Sequence, residues 1–133
     1  MGKSILILDN DPSILEVMEE ALSYEGFCVN TFKETEDIIS LVTKFKPDLV
    51  ITDYILNGIN GGELCKKIKN TSSTCHLPVI IISAYSKVLQ SLGYYGCNAY
   101  VAKPFDLTEM IDLIKNLVET QFKMRINTPI IEY

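Results

Sequence analysis

Four short runs of consecutive apolar residues, each closed by a polar side chain, constrain this fold more than any other feature. Ile5-Leu6-Ile7-Leu8 runs into Asp9-Asn10-Asp11, and Leu49-Val50-Ile51 into Thr52-Asp53. Val79-Ile80-Ile81-Ile82 runs into Ser83, and Ala99-Tyr100-Val101-Ala102 into Lys103. A half-exposed strand alternates apolar and polar residues; a strand without that alternation is covered on both faces, as in a parallel sheet. Between the runs, apolar residues recur at helical spacing. Asp11 can cap a helix that Pro12 begins and Gly26 ends, with Ile14, Met18, Ala21 and Leu22 on one face. Residues 27–32 read as a strand, 34–45 as a second helix with Ile38, Leu41, Val42 and Phe45 inward, and 63–70 as a third with Leu64 and Ile68 inward. A turn-rich loop is expected at 57–62, a polar turn at 71–74, strands at 77–83 and 98–102, and a short helix from Lys87 to Tyr95. Asp106 opens a last helix, with Glu109 in capping-box spacing and Leu107, Met110, Ile111, Ile114, Leu117 and Val118 as its buried stripe.

Strand and helix thus alternate five times, which predicts an α/β fold: a doubly wound parallel sheet with helices on both faces. The 133 residues, 47% apolar, suit one domain with one core, spanning 3–121 and followed by a tail, 122–133, without a clear period. The net charge of −5 and pI of about 4.8 leave no basic patch, so direct nucleic-acid binding is not expected. Absence of a long apolar run argues against a membrane span, and absence of a cleavable leader against secretion. Cys28, Cys65, Cys75 and Cys97 are far apart, and His76 beside Cys75 fits no common zinc spacing; they read as small, half-buried residues of a reducing compartment, so a cytoplasmic location is expected.

In an open parallel sheet, ligands bind outside the carboxyl ends of the strands. That edge receives Asp9 and Asn10 from the first strand, Asp53 from the third, Ser83 from the fourth and Lys103 from the fifth. Two carboxylates and an amide oxygen suit a hard cation such as Mg²⁺; a hydroxyl and an ammonium suit a phosphoryl group. A carboxylate beside such a cation can attack phosphorus and form an acyl phosphate. Asp11 reads as a helix cap rather than a ligand.

These residues are carried by Ile-Leu-Asp-Asn-Asp-Pro at 7–12, Asp-Leu-Val-Ile-Thr-Asp at 48–53, Pro-Val-Ile-Ile-Ile-Ser-Ala at 78–84 and Tyr-Val-Ala-Lys-Pro-Phe at 100–105. In order and spacing the chain resembles a bacterial two-component response-regulator receiver domain. The resemblance implies a flavodoxin-like (βα)5 sheet of strand order 2-1-3-4-5. It implies that Asp53 is the phosphoacceptor, charged by a sensor histidine kinase or a histidine phosphotransfer protein. Asp9, Asn10, Asp53 and the backbone carbonyl of Ile55 would hold Mg²⁺ (or Mn²⁺). Ser83 and Lys103 would sense the phosphoryl group, Tyr100 would be the switch aromatic, and the Lys103–Pro104 bond would be cis. The face built by the fourth helix, fifth strand and fifth helix would change shape and could support a homodimer. Such a protein is a signalling receiver, not an enzyme with a separate substrate: it catalyses only its own phosphorylation and dephosphorylation.

The chain departs from the family pattern in four places. Asn10 stands where a second acid is usual, so a weakly bound cation is expected, by about tenfold or more. Ile55 and Tyr85 occupy the positions that flank the hydrolytic water, which predicts slow loss of phosphate. The stretch from Ser83 to Tyr100 is about two residues short, which bears on the dimer face. Asn57 replaces a common proline. Two rival readings also fit parts of the sequence. One is a pseudo-receiver that docks without turning over phosphate, supported by Asn10. The other is a haloacid-dehalogenase-like phosphatase with Asp9 as nucleophile, which lacks the expected acidic motif after Lys103.

Overall fold

The computed structural model describes residues 2–56, 58–85, 87, 95–123 and 131–132. Their order is β1 (Ser4–Leu8), α1 (Pro12–Tyr24), β2 (Cys28–Phe32), α2 (Ile38–Phe45), β3 (Leu49–Asp53), a small antiparallel ribbon of β4 (Ile55–Leu56) and β5 (Ile59–Asn60), α3 (Gly61–Lys69), β6 (Val79–Ser83), β7 (Ala99–Ala102), a last helix (Leu107–Lys123) and β8 (Ile131–Glu132). The main sheet is parallel with order β2-β1-β3-β6-β7-β8. Its first five strands are the expected 2-1-3-4-5 arrangement.

The unbroken apolar runs are explained by the two faces. Successive side chains point to opposite sides of a strand. Ile5, Ile7, Leu49, Ile51, Ile80, Ile82 and Val101 pack against Leu15, Met18 and Leu22 of α1 and Met110, Leu113, Ile114, Leu117 and Val118 of the last helix. Leu6, Leu8, Val50, Val79, Ile81 and Tyr100 face the other way, against Ile38 and Val42 of α2 and Leu64, Cys65 and Ile68 of α3. Both faces are covered, so neither set could be polar. Burying each such side chain contributes about 1.5–3 kcal/mol.

Helix α1 starts as expected: the Asp11 carboxylate accepts from the Ser13 amide at 2.9 Å, and Pro12 occupies the first turn. It ends at Tyr24, and Gly26, whose φ of +94° suits a residue without Cβ, turns the chain away from it. Two helix boundaries need correction. The second helix begins at Ile38, not at 34. Thr35 Oγ1 accepts from the Asp37 amide, and Asp37 caps by accepting from the Ser40 amide at 3.1 Å, which holds the preceding turn out of the helix. The third helix begins at Gly61, capped by Asn60, whose Oδ1 accepts from the Gly62 amide at 2.6 Å; the loop before it is largely the β4–β5 ribbon. Past residue 121, the last helix runs to Lys123, and Ile131–Glu132 add a sixth strand beside Ala99 and Tyr100. Two residues are too few to show a period in sequence. The helix expected from Lys87 to Tyr95 lies largely outside the described residues, as do Asn57 and Tyr94.

Cys65 and Cys97 are buried; Cys28 and Cys75 are exposed rather than half-buried, because β2 is an edge strand and Cys75 sits in the turn after α3. All four are free thiols. Burial pushes the Cys65 and Cys97 thiols up to about 12, which keeps them protonated and unreactive. Among the described residues no helix is long and apolar enough to cross a membrane.

Candidate functional site

The parallel ladder continues for one residue past each strand, and that continuation assembles the site. The Asp9 amide donates to Phe32 O, the Tyr54 amide to Ile82 O at 2.7 Å, and the Lys103 amide to Ser83 O at 2.9 Å. Asp9, Asp53, Ser83 and Lys103 are therefore fixed at one edge by backbone bonds, whatever their side chains do. The Lys103–Pro104 bond is cis, as the resemblance implied.

Asp9 is 1% exposed and Asp53 is 7% exposed. Lys103 Nζ lies 3.1 Å from Asp9 Oδ2 and 3.3 Å from Asp53 Oδ2. One ammonium thus bridges two buried carboxylates. The Asp9 Oδ1 atom accepts from the Asp11 amide at 2.9 Å, which anchors the carboxylate; Oδ2 has the ion pair but no aligned hydrogen bond. Asp53 is driven above its ordinary value by burial first and by the Asp9 charge second, with Lys103 opposing. For Lys103, burial works against the charged form, but the ion pair with Asp9 and the Asp53 charge outweigh it and raise the ammonium's pKa.

The structure brings together Asp9, Asp53 and Lys103 in direct contact. Ser83 is buried at the same edge, its Oγ accepting from the Tyr85 amide at 2.8 Å. Ile55 and Tyr85 are exposed large apolar side chains in the segments that follow Asp53 and Ser83. Tyr100 is buried in β7, paired across the sheet with Ile81. Asn10 and Asp11 are exposed beside Asp9, and Asp11 serves as the α1 cap, as expected.

The donor set fits a hard divalent cation. Asp9 Oδ2 is a buried carboxylate oxygen left without an aligned donor, and it lies with Asp53 Oδ2 around a single ammonium. No group of three or more His, Cys, Asp or Glu is found among the described residues, so a cation here would need neutral oxygens as well. Asn10 and the Ile55 carbonyl are in the adjoining segments and are of the right type.

Two glycines at this edge were read from sequence only as loop residues. A Cβ on Gly61 would collide with the Asp53 carbonyl oxygen, and one on Gly62 would lie 2.6 Å from the Tyr95 ring. The Gly61 amide donates to Tyr54 O at 2.7 Å. Paired glycines opening a helix were the available signal, since helix interiors disfavour glycine.

Comparison with known proteins places the chain. The response regulator receiver domain family matches residues 5–115. A probable transcriptional regulator, ycf29, of Porphyra purpurea is 32% identical over 120 residues, covering 89% of this chain and 57% of ycf29. The response regulator ArlR of Staphylococcus aureus is 33% identical over 119 residues, covering 88% of this chain and 53% of ArlR. The chain therefore spans about half the length of these curated relatives. Among solved structures, the response regulator TrrA of Thermotoga maritima, in complex with Mg²⁺-BeF, superposes with a TM-score of 0.77 at 30% identity, covering 86% of this chain and 98% of TrrA. With the sheet order, the strand-end carboxylates and these similarities in hand, the chain belongs to the response regulator receiver domain family.

Proposed function

We propose that this receiver domain accepts a phosphoryl group on Asp53 from the phosphohistidine of a partner kinase or histidine phosphotransfer protein. The observation that carries the reading is the buried Asp53 carboxylate, paired with Lys103 at 3.3 Å and flanked by Asp9. An Asp53 oxygen attacks phosphorus, the phosphorus–nitrogen bond breaks, and the imidazole leaves with its electron pair. Lys103 neutralises charge on the transferred oxygens. The Ser83 hydroxyl, although accepting from Tyr85, keeps a proton that it can donate to a phosphoryl oxygen. Mg²⁺, held by Asp9, Asn10, Asp53 and the Ile55 carbonyl, would supply charge neutralisation at the same oxygens; TrrA carries Mg²⁺-BeF in its complex. An amide at position 10 has no formal charge, so binding is weaker than with two acids and an Asn10→Asp change tightens it.

The product carries roughly −1.5 to −2 charges where the carboxylate had one. Lys103 then shifts its ion pairing toward the phosphoryl group, Ser83 closes on it and Tyr100 follows, which shifts a population between two states of the face built by the fourth helix, β7 and the last helix, the output face. The protein acts on no other substrate, does not bind nucleic acid through this domain, works in the cytoplasm, and uses the output face for any homodimer.

Intact-mass analysis after incubation with a small acyl phosphate and Mg²⁺ tests the reading. An adduct is expected on wild type and not on Asp53→Asn. No adduct on wild type would favour a docking module without phosphate chemistry. Hydrolysis of an aryl phosphate that depends on Asp9 and not on Asp53 would favour a phosphatase.

A further inference from the structure

Tyr95 lies outside the strand-end constellation, yet it contacts both ends of the loop that follows Asp53. Its hydroxyl shares a hydrogen bond with the Tyr54 hydroxyl at 3.3 Å, and the two rings are 6.0 Å apart at 44°. Tyr54 is the residue after Asp53 and its side chain is buried. At the other end of the loop, the Tyr95 ring lies on Gly62 so closely that a Cβ there would overlap it. The Tyr95 phenol is pushed up, first by its bond with Tyr54, and it also interacts with the side chain of Asn60, the α3 cap. Tyr54 and Gly61 are themselves joined through the backbone at 2.7 Å. The ribbon between them carries Ile55, whose carbonyl is one of the candidate cation ligands.

The backbone of Tyr95 is also unusual. Its φ is +56°, followed by Gly96 at +82°. A bulky aromatic residue rarely adopts this left-handed conformation, which persists only where surrounding contacts compensate for it. Here the compensating contacts are those with Tyr54, Asn60 and Gly62. The contact is therefore poised: losing it frees the backbone of Tyr95, and holding it requires the loop after Asp53 to keep its shape. Any ligand that changes the loop must change the Tyr95 contact by the same free energy, and the reverse.

We propose that Tyr95 is a positioning residue for phosphoryl transfer, a latch that holds the loop from Tyr54 to Gly62, with its Ile55 carbonyl, in the shape that receives the cation, and ties that loop to the turn leading into β7. The proposal rests on the receiver reading above for its chemistry, but it also has a readout that needs no phosphoryl transfer. Tyr95→Phe keeps the ring on Gly62 and removes the shared hydroxyl bond; Tyr54→Phe removes the same bond from the other side.

The full chain, these two variants and the double variant are compared in two experiments. In the first, the initial rate of adduct formation with acetyl phosphate is measured against Mg²⁺ concentration. Each single variant is expected to need about two- to tenfold more Mg²⁺ for half-maximal rate, the range that one modest hydrogen bond spans, and the double variant no more than either single. The rate at saturating Mg²⁺ is expected to change less. In the second, Mg²⁺ alone is titrated while the Gly61 and Gly62 amide resonances are followed, and the same displacement of the midpoint is expected. A wild type that takes no phosphoryl group sinks the receiver reading, and the amide titration still decides on the latch. Variants that melt at lower temperature but keep the wild-type Mg²⁺ midpoint would make Tyr95 a packing residue and overturn the proposal. So would a double variant whose shift is the sum of the singles, because the two hydroxyls would then act independently.

Discussion

The two faces of the sheet are built from the same four strands but from different chemistry. The face covered by α1 and the last helix has a core of Ile, Leu, Val, Met and Ala alone, with Phe27 and Phe105 at its margin. Its helices have 13 and 17 residues. The face covered by α2 and α3 has helices of 8 and 9 residues, and its core includes Tyr54, Tyr100, Cys65 and Cys97. Lys69 is drawn into that side, donating to Leu77 O at 2.8 Å and to Asn98 Oδ1 at 2.6 Å. Aliphatic packing is insensitive to charge and has few alternative arrangements. Hydroxyls, thiols and an inward lysine offer partners that can be exchanged. The aliphatic face is expected to supply most of the stability, and the other holds polar groups that can exchange partners.

The largest expected effect tests the first half of that statement. Ile114→Ala, on the aliphatic face and fully buried, should destabilise the domain by about 2–5 kcal/mol in denaturant unfolding. It should leave the extent of Asp53 phosphorylation in the folded fraction unchanged. A lost adduct in folded protein would break the division. Next is Lys69→Ala on the other face. It strands the Leu77 carbonyl and leaves the Asn98 side-chain oxygen only the Val79 amide as donor, and should cost about 1–3 kcal/mol in the same measurement. A cost equal to that of Ile114→Ala would show that both faces bear load alike.

A third change should stabilise. Burial and the Asp9 charge hold Asp53 above its ordinary 3.8, so its ionised form is disfavoured by folding. By proton linkage the native state binds the proton more tightly, so stability falls as pH rises from 3.8 through the raised native value. Asp53→Asn removes that penalty and should raise the melting temperature by a few degrees at pH 7, about 1 kcal/mol, with the gain fading toward pH 4. A lower melting temperature would mean that the Lys103 ion pair outweighs the repulsion. The smallest effect on stability belongs to Ile55→Asn. Ile55 is exposed, and the change should stay within about 0.5 kcal/mol. Yet it should shorten the lifetime of the phosphoryl adduct, measured by intact mass after donor removal, because an amide can hold the water that an aliphatic chain excludes. A longer lifetime in the variant would contradict the role given to this position.

Much of this was readable in the sequence because the strands are unbroken apolar runs. Ile5–Leu8, Leu49–Ile51 and Val79–Ile82 read as strands buried on both sides, and their alternation with helices favours a parallel sheet. Once the sheet is parallel, Asp9, Asp53, Ser83 and Lys103 must meet at one edge. What stayed hidden depends on contacts that no local pattern encodes. Thr35 and Asp37 delay α2: the Thr35 hydroxyl accepts from the Asp37 amide, and the Asp37 carboxylate from the Ser40 amide. Gly61 and Gly62 are glycines because of what approaches them, an Asp53 carbonyl and a tyrosine ring. The bond between Tyr54 and Tyr95 joins residues 41 apart, and Lys69 finds Asn98 across 29. Leu113 is buried on the last helix although the stripe read from spacing passed over it.

The ion pairing of Lys103 with both carboxylates has one more consequence, and it concerns the folding chain. No part of the site is local: Lys103 reaches Asp53 across 50 residues and Asp9 across a still longer loop. Parallel pairing of this kind requires closure of long loops before any contact is gained, and such topologies fold slowly. A nascent or partly folded chain holding only β1 and β3 would bring two carboxylates together with no ammonium between them. Repulsion there opposes premature consolidation, and it is relieved only when β7 docks and delivers Lys103. The cluster of Asp9, Asp53 and Lys103 is thus complete only once β7 has docked, so an adduct at the proposed phosphoacceptor would report a folded sheet as well as a signal.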